Sequence, residues 1–295
     1  MKRKLKIFSS CLEVALVTFA SLVLVVFFSR KSLFAKKIKQ ESPIIILGNG
    51  PSLRDDIDAV IELRESVRVD ICSVNDFAFS EAFFKVRPSL YVLADPNYWS
   101  DNVSKNVEVR RAKLIDIFAR EVIWPMRVMV PVEAKGSSIF DRVSSEFVIV
   151  EYYNRTPVSG FDWVRFRLFD VGAGMPPAYN VLIAALAISI AGGYKKIFIL
   201  GADHSWHEEL SFKEDGVLVA QKHFYDEGVE LKPVYKAVGE VFTIGELFIR
   251  WGKVFRTYEV LALYAKYKHA IVYNLSSKTY VDAFPRAKFS ELEGL

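Results

Sequence analysis

Residues capable of chemistry recur in this chain in one place, directly after short apolar runs. Ile44-Ile45-Ile46-Leu47 leads into Gly48-Asn49-Gly50-Pro51-Ser52, and Val69–Val74 leads into Asn75-Asp76. Ser89–Ala94 leads into Asp95-Pro96-Asn97-Tyr98-Trp99, and Lys196–Leu200 into Gly201-Ala202-Asp203-His204-Ser205-Trp206-His207. The first of these turns suits a phosphate. Gly48 and Gly50 can take positive φ and let a ligand approach bare backbone, and Ser52 can cap a helix carrying Asp55 and Asp56 in its first turn. Free N–H groups at such a helix start favour an anion. The glycine spacing fits neither the Rossmann nor the P-loop pattern, so a plain strand-to-helix turn is the competing reading. The amides and carboxylates at the other ends can hydrogen-bond a ribose and a base, with Tyr98 or Trp99 stacked on a ring. Against this, Asn and Asp also end strands for purely local reasons.

The four histidines divide by context. His204 and His207 flank Ser205-Trp206 beside Asp203, but their spacing suits a metal only on a helix, and no third ligand is evident beyond Asp203 or Glu208, so no metal site is expected. His223 lies in the polar stretch Gln221–Asp226 between a strand end and the later helices, where a lid can carry a general base. His269 ends a long helical pattern as a cap or an exposed residue.

The elements that must position these residues alternate. Strand patterns at 44–47, 69–74, 89–94, 127–130, 147–150, 196–200 and 270–274 are separated by helical patterns at 77–85, 102–120, 177–191 and 241–267. Residues 177–191 are apolar nearly all round and stop at Gly192-Gly193, which predicts a buried helix with Asn180 near its start. The expectation is an α/β domain over residues 43–295, a mostly parallel sheet with helices on both faces and a small lid at about 204–240. In such a sheet the ligand sits beyond the carboxyl ends of the strands, where the polar residues lie.

Charge and apolarity are concentrated at the N-terminus. Residues 1–40 hold nine Lys or Arg against Glu13 alone, whereas the 295-residue chain as a whole carries only +4. The basic excess therefore belongs to the tail and argues for a membrane surface, not for nucleic acid. Cys11–Phe28 contains one charge, Glu13, and as a helix covers roughly 27 Å at about 1.5 Å per residue. Residues 1–29 are thus expected to be a single membrane anchor, and 30–42 a basic linker; a cleaved signal peptide is the alternative. Basic flanks on both sides favour a cytoplasmic domain only slightly. The two cysteines, Cys11 and Cys72, make neither a disulfide framework nor a metal site.

The order Gly48-Asn49-Gly50-Pro51-Ser52-Leu53, Asn75, the x-Pro-x after the third strand, then an Ala-rich helix running into Gly193-Tyr194-Lys195-Lys196-Ile197-Phe198-Ile199-Leu200-Gly201-Ala202-Asp203 resembles the bacterial sialyltransferases of the Campylobacter lipooligosaccharide type. It also resembles a wider set of surface-polysaccharide proteins whose domain is named after 6-hydroxymethylpterin diphosphokinase (MptE-like). The first resemblance implies a Rossmann-like domain with a lid that transfers a sugar from a nucleotide-activated donor, without a metal cofactor, to a cell-surface glycan at the bacterial inner membrane. By position, Gly48, Asn49, Gly50, Pro51 and Ser52 would cradle the donor nucleotide with Asn75 beside it, and Asp95 and Asn97 would face its phosphate region. Asn180, Asp203 and His204 would orient sugar or acceptor, and His223 would take the acceptor's proton. The second resemblance implies a magnesium-dependent diphosphokinase with Asp76, Asp95 and Asp203 on the metal. A non-catalytic nucleotide-binding scaffold is a third reading.

Overall fold

The computed structural model describes residues 2–30, 42–213, 216–219, 232–233, 235–237 and 240–292. Its centre is a seven-stranded sheet in which every pairing is parallel. Along the chain the strands are β1 (Ile44–Leu47), β2 (Asp70–Val74), β3 (Leu90–Val92), β4 (Met126–Pro131), β5 (Val148–Tyr153) and β6 (Lys196–Leu200). Three short antiparallel strands follow, β7 (Leu210–Lys213), β8 (Gly216–Val219) and β9 (Lys232–Pro233), then the pair β10 (Tyr235–Ala237) and β11 (Glu240–Val241). The last strand, β12 (Ile271–Asn274), returns to the large sheet. The spatial order is β12-β6-β1-β2-β3-β4-β5.

Burial on both faces explains why β1 reads as four consecutive aliphatic residues. Ile44 and Ile46 enter one core and Ile45 and Leu47 the other, all four without solvent exposure. The second core is closed by α2 (Leu53–Ser66), α3 (Glu81–Val86) and α4 (Lys105–Asp116). The first is closed by α5 (Asp162–Asp170), α6 (Val181–Gly192) and α7 (Ile244–Tyr267). The helix α6 is buried as its composition demands: Asn180 Oδ1 caps it by accepting from the Ile183 amide at 2.9 Å, and Gly193 ends it at φ 102°. A capping box of Thr243 and Glu246 starts α7 three residues later than its apolar pattern predicts. The sequence pattern missed α5, and it ended β5 too early.

The remaining helix, α1 (Lys2–Phe28), contains one run, Cys11–Phe28, long and apolar enough to cross a membrane. It does not stand clear of the domain. Val25 packs against the core that holds α6 and α7, and Thr18 and Ser21 are buried.

The β1 and β6 backbones approach closely where the two strands end. Gly48 N–H donates to Leu200 O at 2.7 Å, and a Cβ at Gly48 would lie 2.5 Å from Gly201 O. Gly48→Ala should therefore cost about 1–3 kcal/mol of stability, read from urea unfolding, because backbone has to move to admit one methyl group.

Candidate functional site

Strands β1 to β5 step outward in one direction, and the chain then recrosses to place β6 on the other side of β1. The carboxyl ends of β1 and β6 are thus the point where the strand order reverses, the usual ligand position in an open α/β sheet. A cleft of about 420 Å³ opens there. Gly48, Asn49, Gly50 and Pro51 line it from β1, Asn75 from β2 and Asp95 from β3. Asn180 lines it from the start of α6, and Asp203 and His204 from the end of β6. Ser52 and Asn97 are not in its wall, and His223 lies outside the described residues.

The floor of the cleft corrects the phosphate-cradle expectation. Neither Gly48 nor Gly50 has positive φ. The N–H of Gly50 donates to Gly201 O at 2.9 Å, and the Asp203 carboxylate accepts from Ser52 N–H at 2.9 Å and from Ser52 Oγ at 2.6 Å. A Cβ on Gly50 would collide with Asp203 Oδ1 and lie 2.5 Å from Gly201 O. The two glycines exist so that the β1 turn can lie against β6. The start of α2 already holds an anion, and it is the protein's own carboxylate. Burial raises the Asp203 pKa, and the two bonds from Ser52 oppose that shift. Ser52 does not cap α2 with its side chain, because its hydroxyl faces Asp203.

Two residues at strand ends hold a left-handed backbone without being glycine, Asn75 at φ 48° and His204 at φ 51°. Tyr91 OH fixes the first by donating to the Asn75 carbonyl while accepting from Ala78 N–H at 2.9 Å. Asn75 Oδ1 is buried and has no hydrogen-bond partner among the described residues. His204 is held by rings and amides: Trp206 stacks on it at 4.5 Å, and its Nε2 lies 2.7 Å from Tyr258 OH and 3.3 Å from Asn180 Nδ2. Asn180 Nδ2 also donates to Tyr258 OH at 3.2 Å. Tyr258 OH also has Asn180 Oδ1 within 3.4 Å, so Nε2, the Tyr258 hydroxyl and the Asn180 amide form one closed hydrogen-bonded group. Burial depresses the His204 pKa to about 3, so the ring is neutral and its Nε2 is already engaged.

Two arginines line the cleft that sequence patterns did not single out. Arg155 follows β5; its Nε donates to Glu133 at 2.7 Å and its Nη1 to Ala94 O at 3.2 Å, with its guanidinium 5.4 Å from the Trp99 ring. Arg250, on α7, lies 5.5 Å from the Phe242 ring. The polar pair Asn154-Arg155 was the available signal, hidden because the fifth strand runs on to Tyr153. The expected stacking residues are also exchanged. Tyr98 and Trp99 are buried in the core on the α2–α4 side, and the aromatic rings in the cleft wall are Tyr179 and Trp206.

One solved structure shares this fold. The structure of MAf glycosyltransferase from Magnetospirillum magneticum AMB-1 matches with a TM-score of 0.50 and 15% sequence identity. The match covers 89% of this chain and 36% of that one, so the chain spans about a third of the length of its structural neighbour. No family model matches the chain, and no curated protein matches it in sequence. The likeness concerns the fold.

The carboxylates of a metal reading are mostly committed elsewhere. Asp203 is held by Ser52, and Asp76 pairs with Arg110 at 2.8 Å and accepts from Tyr98 OH at 2.9 Å. Asp95 is exposed and accepts from the Asn97 amide at 2.8 Å. Among the described residues no three His, Cys, Asp or Glu side chains form a group able to hold a metal ion. Of the remaining histidines, His207 meets the Tyr280 ring edge-on at 4.3 Å, and His269 follows α7 at φ 52°.

The neutral His204 makes a pH prediction. An unfolded histidine protonates near pH 6.5, but the folded ring does so only near pH 3, so its contribution is fully present above about pH 6.5 and is lost as pH falls toward 3. His204→Gln should flatten that acid loss in urea melts taken between pH 7 and pH 4, relative to the native chain.

Proposed function

We infer that this protein is a glycosyltransferase that moves a sugar from a nucleotide-activated donor to a cell-surface glycan at a membrane, with the donor in the cleft beyond β1 and β6. Sialic acid and related acidic sugars are the first donors to test, and lipopolysaccharide-type glycans the first acceptors. The observation that carries the reading is the composition of the cleft at the strand-order reversal: two arginines, Asn75 with its side-chain Oδ1 unpartnered among the described residues, and the stacked His204–Trp206 pair line one space of about 420 Å³. Guanidinium groups offer planar donors to phosphate or carboxylate oxygens, and a flat ring offers a face to a base or sugar. The glycosyltransferase whose fold this chain shares is consistent with the reading.

With α2 already capped by Asp203, the donor phosphate is assigned to Arg155 and Arg250, and the base to Asn75. His204 is not the general base, since its Nε2 is engaged and its ring resists protonation. That role is assigned to His223, which would take the proton from the acceptor hydroxyl as the sugar's anomeric carbon leaves the nucleotide phosphate and bonds to the acceptor oxygen. Transfer of this kind needs charge neutralisation on the leaving phosphate, which the arginines supply without a metal cofactor. The domain would face the cytoplasm, held at the inner membrane through α1.

A thermal-shift screen of the full-length protein against cytidine, uridine and guanosine nucleotides and their sugars should give one class that raises the melting temperature, because ligand bound to the native state stabilises it by mass action. No shift with any of them removes the reading. With the active donor, Arg155→Ala should lower kcat/KM roughly 10- to 100-fold, the value of one hydrogen bond to a charged group. His223→Ala should cut transfer by about 10²–10⁴ and leave the donor-induced melting shift intact.

A further inference from the structure

Helix α1 turns two hydroxyls inward and many of its apolar side chains outward: Thr18 and Ser21 are buried, whereas Leu16, Phe19 and Val26 are exposed, as is Glu13, the one charge of Cys11–Phe28. Thr18 Oγ1 accepts from Phe161 N–H at 2.9 Å, Ser21 Oγ from Ser159 N–H at 3.0 Å, and Ser29 Oγ bonds Thr156 Oγ1 at 3.0 Å and the Ala173 carbonyl. Arg30 N–H donates to Asn154 Oδ1 at 2.9 Å, and Asn154 Nδ2 donates back to Arg30 O at 2.7 Å. The segment 154–161 therefore runs antiparallel along the helix, and two of its amides have helix hydroxyls as their acceptors. The packing is close: a Cβ on Gly160 would collide with Thr18. On the outward side Phe19 is 67% exposed, Val26 76% and Phe27 68%. Trp163, just beyond the Thr18 contact, is 75% exposed.

This arrangement conflicts with a simple span. Thr18 sits near the middle of the Cys11–Phe28 run, so a helix crossing the bilayer would carry Phe161 and its neighbours to membrane mid-depth. Those neighbours include the Asp162–Arg165 ion pair, whose Asp162 side chain is 59% exposed, and the irregular backbone of 154–161. Exposed charge and irregular backbone are both disfavoured in hydrocarbon. A helix lying in the plane of the interface meets neither problem. Its outward face reaches the acyl chains, Trp163 takes the headgroup level, and the nine Lys or Arg of residues 1–40 meet an anionic leaflet.

The geometry points to α1 as an in-plane anchor, docked on the domain through Thr18, Ser21, Ser29 and Arg30, which seats the protein on one leaflet of an anionic membrane without crossing it. This deepens the expected membrane attachment and replaces its single-pass form. It does not depend on the sugar-transfer reading.

The test uses full-length protein in membranes of an expressing bacterial host. Lys4→Cys and Arg30→Cys are made separately on a Cys11→Ser background, leaving Cys72, which is fully buried, as the silent control. A membrane-impermeant maleimide is applied to inverted vesicles and to spheroplasts. Both positions should react in one preparation and neither in the other. Reaction of one position in each preparation means the helix spans, and the inference is wrong. Independently, Phe19→Asp with Val26→Asp should lower flotation with phosphatidylethanolamine–phosphatidylglycerol vesicles by roughly tenfold or more, at an unchanged melting temperature. Undiminished flotation of that variant, or no flotation of the native protein, would equally overturn it.

Discussion

The carboxylate of Asp203, reaching from the end of β6 to the amide and hydroxyl of Ser52, is the contact on which the rest of the cleft depends. It joins the two strands at which the strand order reverses and sets a carboxylate against the start of α2, where the helix dipole favours an acidic group. It also sets what the glycine pair is for. The backbone of Gly201 and the Asp203 side chain approach Gly48 and Gly50 closely, and both sites lack room for a Cβ. The start of α2 is thereby already satisfied, and the guanidinium groups that line the cleft stand on its other walls.

The cleft is stiffened further by residues held in conformations their side chains do not favour. Asn75 and His204 both adopt left-handed backbone, which costs of order 1–3 kcal/mol for residues other than glycine and less for Asn. Each is over-determined by neighbours: Asn75 by Tyr91, and His204 by Tyr258, Asn180 and Trp206. The same Asn180 caps α6, so the orientation of the imidazole is tied to the most deeply buried helix of the domain. A neutral ring fixed in this way, with its Nε2 engaged, keeps a constant orientation and is unsuited to shuttling protons.

Much of the fold was readable from local pattern because burial writes it directly into composition. Strands covered on both faces are runs of aliphatics, as Ile44–Leu47 and Lys196–Leu200 show, and α6 ends where Gly193 permits it. The misreadings have a shared cause, which is that their determinants are distant in sequence or only half buried. Nothing near Gly48 signals that Asp203 will occupy the helix start. The edge strand β5 is fully buried only at its two ends, Val148 in one core and Tyr153 in the other, so its alternation is weak and its true end, just before Arg155, is not marked. Helix α5, DWVRFRLFD, buries only Phe166 and Phe169, too few to declare a face. Tyr98 and Trp99 follow a strand as ligand-stacking residues would, yet the turn Pro96–Tyr98 folds them into the core.

The N-terminal helix shows the same limit in another form. A hydropathy window records how apolar a segment is and not which way its few polar residues point. Thr18 and Ser21 of α1 and Ser29 just after it point at the domain while Glu13 is exposed, and the last contact of the series, from Arg30, ends on Asn154. Asn154 also donates to Gly172 O at 2.7 Å, and the next residue, Arg155, carries its guanidinium to Ala94 O in the cleft wall. One short segment after β5 thus receives α1 on one side and supplies a cation to the cleft on the other. A helix seated in the plane of a leaflet would fix the direction in which the cleft opens relative to the lipid surface. Any lipid-borne ligand of the cleft would then be confined to the same two-dimensional surface as the protein, so its effective concentration at the cleft would be set by that shared attachment as much as by any direct contact.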